Sequence, residues 1–209
     1  MHANLDERRV HLMQVLSAQL ERRDGCCGYL GLHQRLDWGT SGVVVLARQR
    51  SANASLAQQF ASHSLSKIYL ALVYGTSYPE CPWRVEVPLG EPKKRGGRVS
   101  LGGMEAKEAA TRFRVLARRG ASALLEAQLE SGRKHQIRAH LLSCGLQLYG
   151  DELYGAPDAE ATWRAPRPML HAAKLILQHP LSGETLALSA PPPEDFRALA
   201  RDLLGVKLS

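Results

Sequence analysis

Two runs of alternating residues, joined by Arg119-Gly120, constrain the fold of this chain more than any other feature of its sequence. Every second residue of each run shares a face, and these faces carry Thr111, Phe113, Val115, Ala123, Leu125, Ala127 and Leu129. Alternation on both sides of a short turn is typical of an antiparallel hairpin with one face in the core. We therefore expect the sheet that contains this hairpin to be largely antiparallel.

Helices and further strands are predicted on both sides of the hairpin. Apolar residues at intervals of three and four predict helices over residues 6–22, 51–61, 133–144 and 194–204. Short β-branched or alternating runs predict strands over residues 43–47, 67–74, 170–177 and 185–189. Hairpins with intervening helices, and no internal repeat, indicate a single α+β domain over residues 1–209. Its centre is expected to be one long, mixed, mostly antiparallel sheet with flanking helices.

The composition narrows the functional class. The formal net charge of +7 suits a polyanionic partner such as RNA, although a basic protein with a solvated surface fits it as well. No apolar run approaches the length of a membrane span, and residues 1–7 lack the layout of a secretory signal, which predicts a cytoplasmic protein. The cysteines show no zinc-ligand spacing, so no metal site is predicted.

Two segments each contain one residue that could carry chemistry. Residues 33–42 place a single carboxylate, Asp37, in a turn rich in Gly, Ser and Thr. Taken alone, a turn-capping role is the simpler interpretation of this carboxylate. Tyr69 lies in the strand predicted over residues 67–74, where an aromatic residue most often belongs to the core.

A third segment, residues 132–141, is basic. On a helix, Lys134 and Arg138 lie on one side, which is typical of a solvated surface or of one that faces RNA. His135 and His140 are not four residues apart and have no acidic partner nearby in the sequence, so a metal site is disfavoured there.

Together, and in this order, the three segments resemble those of the RluA-type RNA pseudouridine synthases. The main matches are Arg35-Leu36-Asp37 with Thr40-Ser41-Gly42, Lys67-x-Tyr69, and Gly132-Arg133-x-His135-Gln136-Ile137-Arg138. Further matches follow in colinear order, at Gly150-Asp151-x-x-Tyr154-Gly155, Leu170-His171-Ala172, His179-Pro180 and Ala190-Pro191. The resemblance implies the α+β catalytic fold of that family, with a central RNA-binding cleft.

The resemblance also implies roles for individual residues. Asp37 matches the catalytic carboxylate, Tyr69 the aromatic residue that packs on the target base, and Arg138 the residue that pairs with the carboxylate. Arg35 matches the residue that reaches into the RNA where the base leaves. The other RNA contacts that we predict are Lys67, Arg133, Lys134 and His135. We expect the Asp37 carboxylate and the Arg138 guanidinium to be in contact, because a guanidinium binds a carboxylate in a fixed fork.

The implied reaction is the isomerisation of specific uridines to pseudouridine in ribosomal or transfer RNA. Uridine loses its N1–C1′ bond, turns while bound, and rejoins through C5, so no cofactor is required and none is predicted. A base in a duplex must first be flipped out, which costs about a few kcal/mol and must be offset by RNA contacts. RNA is therefore the predicted partner, and the chain is expected to act as a monomer away from membranes.

This sequence departs from the family pattern in two places. Gln34 stands where the family usually has His, and His33 lies one place earlier. Residues 2–6 match a stretch that follows a Lys-Pro-x-Gly strand in the family, so either Met1 is an internal or misassigned start or that strand is absent. Its loss would leave one edge of the sheet unpaired.

Two other functions fit parts of the sequence. A non-catalytic RNA-binding relative would keep the basic cleft and Arg35 without turnover. An unrelated hydrolase would use Asp37 with His135 or His140, but the sequence contains no GxSxG or HExxH motif. Under the RNA-modifying interpretation, the basic loop of residues 93–98 is a candidate for selecting the RNA.

Overall fold

The structure is a computed structural model, which describes residues 12–26, 28–62, 64–94, 96–155 and 164–208. The helices of this part are α1 (Leu12–Asp24), α2 (Asn53–Ala61), α3 (Gln136–Ser143) and α4 (Glu194–Leu204). Its strands are β1 (Gly31–Leu32), β2 (Ser41–Gly42), β3 (Leu46–Ala47), β4 (Ser66–Tyr74), β5 (Trp83–Glu86), β6 (Ala110–Arg119), β7 (Ser122–Leu129), β8 (Gln147–Leu148), β9 (Leu170–Gln178) and β10 (Thr185–Ser189).

One large sheet contains the order β10-β9-β4-β7-β6-β5, in which all neighbours are antiparallel. The short strand β2 adds a parallel pairing to β9, and β8 pairs with β4. The predicted hairpin is β6–β7, with Phe113 opposite Ala127. The prediction of an α+β fold around a mixed, mostly antiparallel sheet is confirmed.

Successive side chains of the central strand β4 point to opposite faces of the sheet. On one face Ala71 packs with Ile137 of α3, and on the other Leu72 packs with Phe196 of α4. The sheet is therefore covered by α3 on one side and by α4 on the other. Tyr69 packs against the cluster on the α3 side, which places its ring beside the segment that leads into α3.

The strand predicted over residues 43–47 is wrong in its bounds. Residues 41–42 pair with β9 and residues 46–47 pair with β1, so the chain between them crosses from one sheet to another. A short apolar run fits a buried connection as well as a strand. At Gly42, φ is 122° and a Cβ would lie 2.2 Å from the Ala172 carbonyl oxygen, so the approach to β9 requires glycine.

One predicted helix begins later than expected, and another is described only in part. The helix predicted from residue 133 begins at Gln136, because His135 has a left-handed φ of 53° that interrupts helical geometry. The helix predicted over residues 6–22 is described from Leu12 to Asp24, and its predicted start lies outside the described residues, as does the stretch 2–6. Within the described part of the chain, no helix is long and apolar enough to cross a membrane.

Candidate active site

A cavity of about 420 Å³ opens between the segment before β2, the strand β4 and the segment that leads into α3. Its described lining is Leu32, His33, Gln34, Arg35, Leu36, Asp37, Thr40, Phe60, Lys67, Tyr69, Leu129, Gly132, Arg133, Lys134, Gln136, Ile137 and Leu170. Asp37 is the only carboxylate among these lining residues, while four of them are Lys or Arg. The cavity therefore combines one anionic group with a strongly cationic surround.

Asp37 lies at the first position of a tight turn. The Thr40 amide donates to the Asp37 carbonyl oxygen at 3.0 Å, and Gly39 has a φ of 80°, as the third position of a type II turn requires. Arg167 donates from Nη1 to the Gly39 carbonyl oxygen at 2.7 Å, and its Nε and Nη2 bind Asp195 at 2.7 and 2.8 Å. The turn is thus fixed from outside by a bidentate ion pair.

A buried histidine anchors the chain just after this turn. His171 on β9 contacts the Ser41 hydroxyl through Nδ1 at 2.9 Å and the Ala190 carbonyl oxygen through Nε2 at 2.9 Å. Because a carbonyl oxygen only accepts, Nε2 carries the proton and Nδ1 accepts from Ser41. Burial lowers the pKa of His171, so the neutral ring is the form that the fold selects.

Gln34 anchors the same segment on its other side. Its Nε2 donates to the Val43 carbonyl oxygen at 2.9 Å, which ties the chain before Asp37 to the chain after the turn. The preceding His33 donates from Nε2 to the Asn53 side chain at 3.0 Å. The residue that departs from the family pattern is therefore a structural tie across the Asp37 loop.

Tyr69 and Lys67 lie two residues apart on β4 and both line the cavity. Burial, with a further contribution from the Asp37 charge, raises the pKa of the Tyr69 phenol to about 12, so the phenol stays protonated at neutral pH. Burial lowers the pKa of the Lys67 ammonium, whose Nζ lies 5.6 Å from the centre of the Phe60 ring. The cavity wall thus offers a neutral aromatic donor and a partly desolvated cation.

The expected contact between Asp37 and Arg138 is wrong, because Arg138 pairs with another carboxylate. Its Nε and Nη2 donate to the two oxygens of Asp151 at 2.7 and 2.6 Å, and both side chains are buried. Asp151 also accepts from the backbone amides of Leu153 and Tyr154 at 3.1 and 3.0 Å. A carboxylate already oriented by two amides is the better partner for a buried guanidinium.

Asp37 still acts on Arg138 at longer range. Burial lowers the pKa of the guanidinium, but the hydrogen bonds and charge of Asp151, with a smaller contribution from the Asp37 charge, leave this pKa raised. Arg138 does not line the cavity. The structure therefore places it behind the wall, where it contributes a positive field toward Asp37 rather than a direct bond.

His135 is likewise in the wall rather than on the surface of the cavity. The Val99 amide donates to the Tyr154 hydroxyl at 2.9 Å, and that hydroxyl lies 3.1 Å from His135 Nδ1. With its oxygen accepting from Val99, the Tyr154 hydroxyl is placed to donate to His135. Burial lowers the pKa of His135, partly opposed by the Asp37 charge. The structure brings together Asp37, Tyr69, Lys67, Arg35, Arg133 and Lys134, and leaves Arg138 and His135 behind them.

His140 has a structural environment that disfavours the hydrolase interpretation. It is buried, its Nε2 donates to the Val87 carbonyl oxygen at 3.0 Å, and its Nδ1 accepts from Thr111 at 2.8 Å. Burial lowers its pKa. Both of its nitrogens are used, so it cannot serve Asp37 as a base.

Among the described residues, no group of three His, Cys, Asp or Glu side chains is arranged to bind a metal ion.

Comparison with known proteins agrees with this arrangement. A model of the RNA pseudouridylate synthase family matches residues 10–143. The chain belongs to this family. It is 38% identical over 204 residues to RNA pseudouridine synthase 2, chloroplastic, of rice (Oryza sativa subsp. japonica), covering 86% of this chain and 46% of the relative. It is 42% identical over 174 residues to ribosomal large subunit pseudouridine synthase D of Nitrosomonas europaea, covering 81% of this chain and 50% of the relative.

A solved structure shows the same pseudouridylate synthase fold. Human RNA pseudouridylate synthase domain containing 4 superposes with a TM-score of 0.78 at 25% identity, covering 95% of this chain and 85% of that chain. By contrast, this chain spans about half the length of the curated relatives it matches. The predicted resemblance to the family is confirmed by the family match and by these relatives.

Sequence reasoning missed three features of this candidate site. Asp151 appeared only as part of a matching motif, although it is the ion-pair partner of Arg138. Arg167, which fixes the turn at Gly39, belongs to no predicted helix, strand or motif. The buried Thr40 hydroxyl oxygen has no hydrogen-bond partner in the described structure, and no sequence pattern indicates this.

Proposed function

We propose that this chain isomerises specific uridines in RNA to pseudouridine, with Asp37 as the catalytic carboxylate. The observation that carries the proposal is the cavity that Asp37 and Tyr69 both line, in which Asp37 is the only carboxylate of the described lining and Arg35, Arg133 and Lys134 surround it. A target base enters this cavity, and the cations at its rim bind the phosphates on either side. Membership of the family supports the same activity.

The reaction conserves all atoms of the nucleoside. Asp37 attacks or initiates cleavage at the glycosidic bond, the N1–C1′ bond breaks, and the uracil turns so that C5 faces C1′. A C5–C1′ bond then forms, the C5 proton leaves, and N1 gains a proton. No electron acceptor or transferred group is needed, so the proposal includes no cofactor.

Tyr69 is proposed to support the base during this rotation. Its ring gives the uracil an apolar face in contact whichever way the base is turned. Because the pKa of its phenol is about 12, Tyr69 acts at neutral pH as a hydrogen-bond donor and not as a phenolate base. Arg138 opposes the desolvation of Asp37 through its field rather than by a direct bond, because its Nε and Nη2 donate to Asp151.

The cations that line the cavity are proposed to bind RNA. Arg35 and Lys134 are exposed, while the Arg133 Nε donates to the Glu108 carbonyl oxygen at 3.1 Å, which leaves its other donors for phosphate. Lys67 lies deeper, where a desolvated ammonium gains most from an anionic or carbonyl oxygen of the entering nucleotide. The role of His135 as an RNA contact remains a prediction, and its buried position makes an indirect role the simpler one.

Ribosomal RNA of the large subunit is the substrate class we favour, because relatives from Nitrosomonas europaea and Yersinia pestis are named as large-subunit enzymes. Transfer RNA is the second candidate. We propose that the chain acts in the cytoplasm as a monomer. The loop of residues 93–98 remains a candidate for selecting the RNA, and its Arg95 lies outside the described residues. Replacing Lys93 and Lys94 with Ala is expected to lower the salt slope of RNA binding by about two units if each binds one phosphate.

Mapping pseudouridines in cells tests the proposal. Large-subunit ribosomal RNA and transfer RNA from cells that lack the gene are treated with carbodiimide and compared after complementation with the wild type or with Asp37→Asn. A site restored by the wild type alone supports the proposal and names the substrate. If the wild type restores no site while the purified protein still binds RNA, the chain is a non-catalytic RNA-binding relative.

A further inference from the structure

Trp38, next to Asp37, is exposed over 84% of its surface. Tryptophan is a largely apolar residue that is highly buried on average and is enriched where proteins bind partners. The other described tryptophan, Trp83, follows the usual pattern and stacks on Phe113 with ring centres 5.3 Å apart. Trp38 therefore presents an apolar plane to the solvent at the residue that follows the proposed catalytic carboxylate.

The backbone presents this indole from a fixed position. Trp38 is the second residue of the turn closed by the bond from the Thr40 amide to the Asp37 carbonyl oxygen. Gly39 after it packs so closely that a Cβ would lie 2.9 Å from Pro168 Cδ, and its carbonyl oxygen accepts from Arg167. An exposed aromatic side chain on a preorganised backbone binds a flat partner at a low entropic cost.

The surroundings indicate which flat partner fits. The Cα of Trp38 lies about 3.8 Å from that of Asp37, the fixed spacing of consecutive residues. Arg35 precedes it by three positions and is exposed, and Arg133 and Lys134 also line the cavity. An exposed aromatic residue that directly follows Asp37, whose cavity is lined by these cations, matches single-stranded nucleic acid, whose bases stack on aromatic side chains while its phosphates bind Lys and Arg.

We propose that Trp38 is a stacking site for an unpaired RNA base adjacent to the uridine that enters the cavity. This inference rests on the proposed function for the position of that uridine. It assigns the chain a preference for target uridines in loops or other unpaired stretches, because a paired neighbour keeps its base stacked within the duplex. The site adds no phosphate contact, so it contributes to affinity without contributing to the salt slope.

Binding of a defined RNA tests this site separately from catalysis. The probe is a fluorescein-labelled 15-nucleotide uridine-rich single strand, and the same strand annealed to its complement is the paired comparison. Trp38→Ala is expected to raise Kd for the single strand about five- to 150-fold, the range for loss of one base–aromatic stack. Trp38→Phe is expected to restore most of that affinity. The slope of log Kd against log salt is expected to stay the same in both variants.

Intrinsic fluorescence and a matched control complete the test. The single strand is expected to quench the wild type more than Trp38→Phe, and the difference isolates Trp38 from the other tryptophans. Leu181→Ala removes another exposed apolar side chain, in the turn beyond the far end of β9, and is expected to bind as the wild type does. An unchanged Kd for Trp38→Ala, or equal quenching by the duplex, overturns the stacking site. If the wild type shows the fluorescence difference but does not isomerise uridine, the proposed function is overturned instead, and the stacking site stands.

Discussion

Replacing Asp151 with Asn is expected to destabilise the fold strongly, although the two side chains have nearly the same shape. Among the described residues, Oδ1 of Asp151 accepts from Arg138 and from the amides of Leu153 and Tyr154, while Oδ2 accepts only from the Arg138 Nε. An asparagine can keep the three bonds to Oδ1, but its amide then faces the Nε–H donor. The guanidinium, whose side chain is only 6% exposed, is left buried without a counter-charge.

The expected loss follows from that burial. Removing one partner of a buried ion pair costs about 3–5 kcal/mol, because the remaining charge stays desolvated and uncompensated. Arg138→Gln with Asp151→Asn removes both charges, so the double variant is expected to lose less than the sum of the two single losses, by about 0.5–3 kcal/mol. Urea unfolding of all four proteins, followed by circular dichroism, measures both quantities provided that the transitions are two-state.

An exposed ion pair provides the control. Asp202 binds Arg164 at 3.0 Å with 64% of its side chain exposed, so Asp202→Asn is expected to change stability by less than about 1 kcal/mol. A loss for Asp151→Asn that is no larger than the control's, or strict additivity in the double variant, would refute the reasoning that Arg138 depends on Asp151.

The remaining predictions concern the neighbours of Asp37. Tyr69→Phe is expected to keep RNA affinity within about twofold, because the ring remains, and to lower turnover by no more than about tenfold, because the phenol only donates a hydrogen bond; a fall of about 10²–10⁴-fold would contradict this donor role and indicate proton transfer. Gly42→Ala is expected to cost at least about 1–3 kcal/mol in chemical denaturation, since its Cβ would meet the Ala172 carbonyl oxygen, whereas Gly183→Ala meets no atom within 4 Å and costs only its backbone strain. Equal losses in these two variants would contradict the close approach. The pKa of His171 is lowered in the fold, so its neutral form stabilises the protein fully above the unfolded pKa of about 6.5, and this contribution is lost as pH falls from there toward the folded pKa. Between pH 7 and pH 5, the Tm of His171→Gln is therefore expected to fall less than that of the wild type. Equal falls would contradict the lowered pKa of His171.

The sequence allows the fold class to be predicted because the sheet leaves a local pattern. Alternation on both sides of Arg119-Gly120 records the β6–β7 hairpin, and the periodicity over residues 194–204 records α4. The strand predicted over residues 43–47 had the wrong bounds, because its β-branched residues fit a buried connection between two sheets as well as a strand. Pattern alone does not report which sheet a short segment joins.

The residues of the candidate site could likewise be predicted only in part. Asp37 and Tyr69 were predicted through their motifs, and the fold places both in one cavity. The partner of Arg138 could not be predicted, because two carboxylates were available and the choice depends on the backbone amides that orient Asp151. The left-handed conformation of His135 was equally hidden, since a non-glycine residue with positive φ has no dependable local signal. Because of this conformation, α3 begins one residue after His135, and the imidazole ring of His135 lies in the wall of the cavity.

The most direct test of Asp37 as the catalytic carboxylate is tritium release from RNA that carries C5-tritiated uridine, prepared from cells that lack this gene. Release requires that the C5–H bond be broken, so it reports the isomerisation itself rather than RNA binding. We expect release by the wild type and by Asp24→Asn, whose carboxylate lies in an exposed ion pair with Arg48, and none by Asp37→Asn. Release by Asp37→Asn at the wild-type rate would contradict the account.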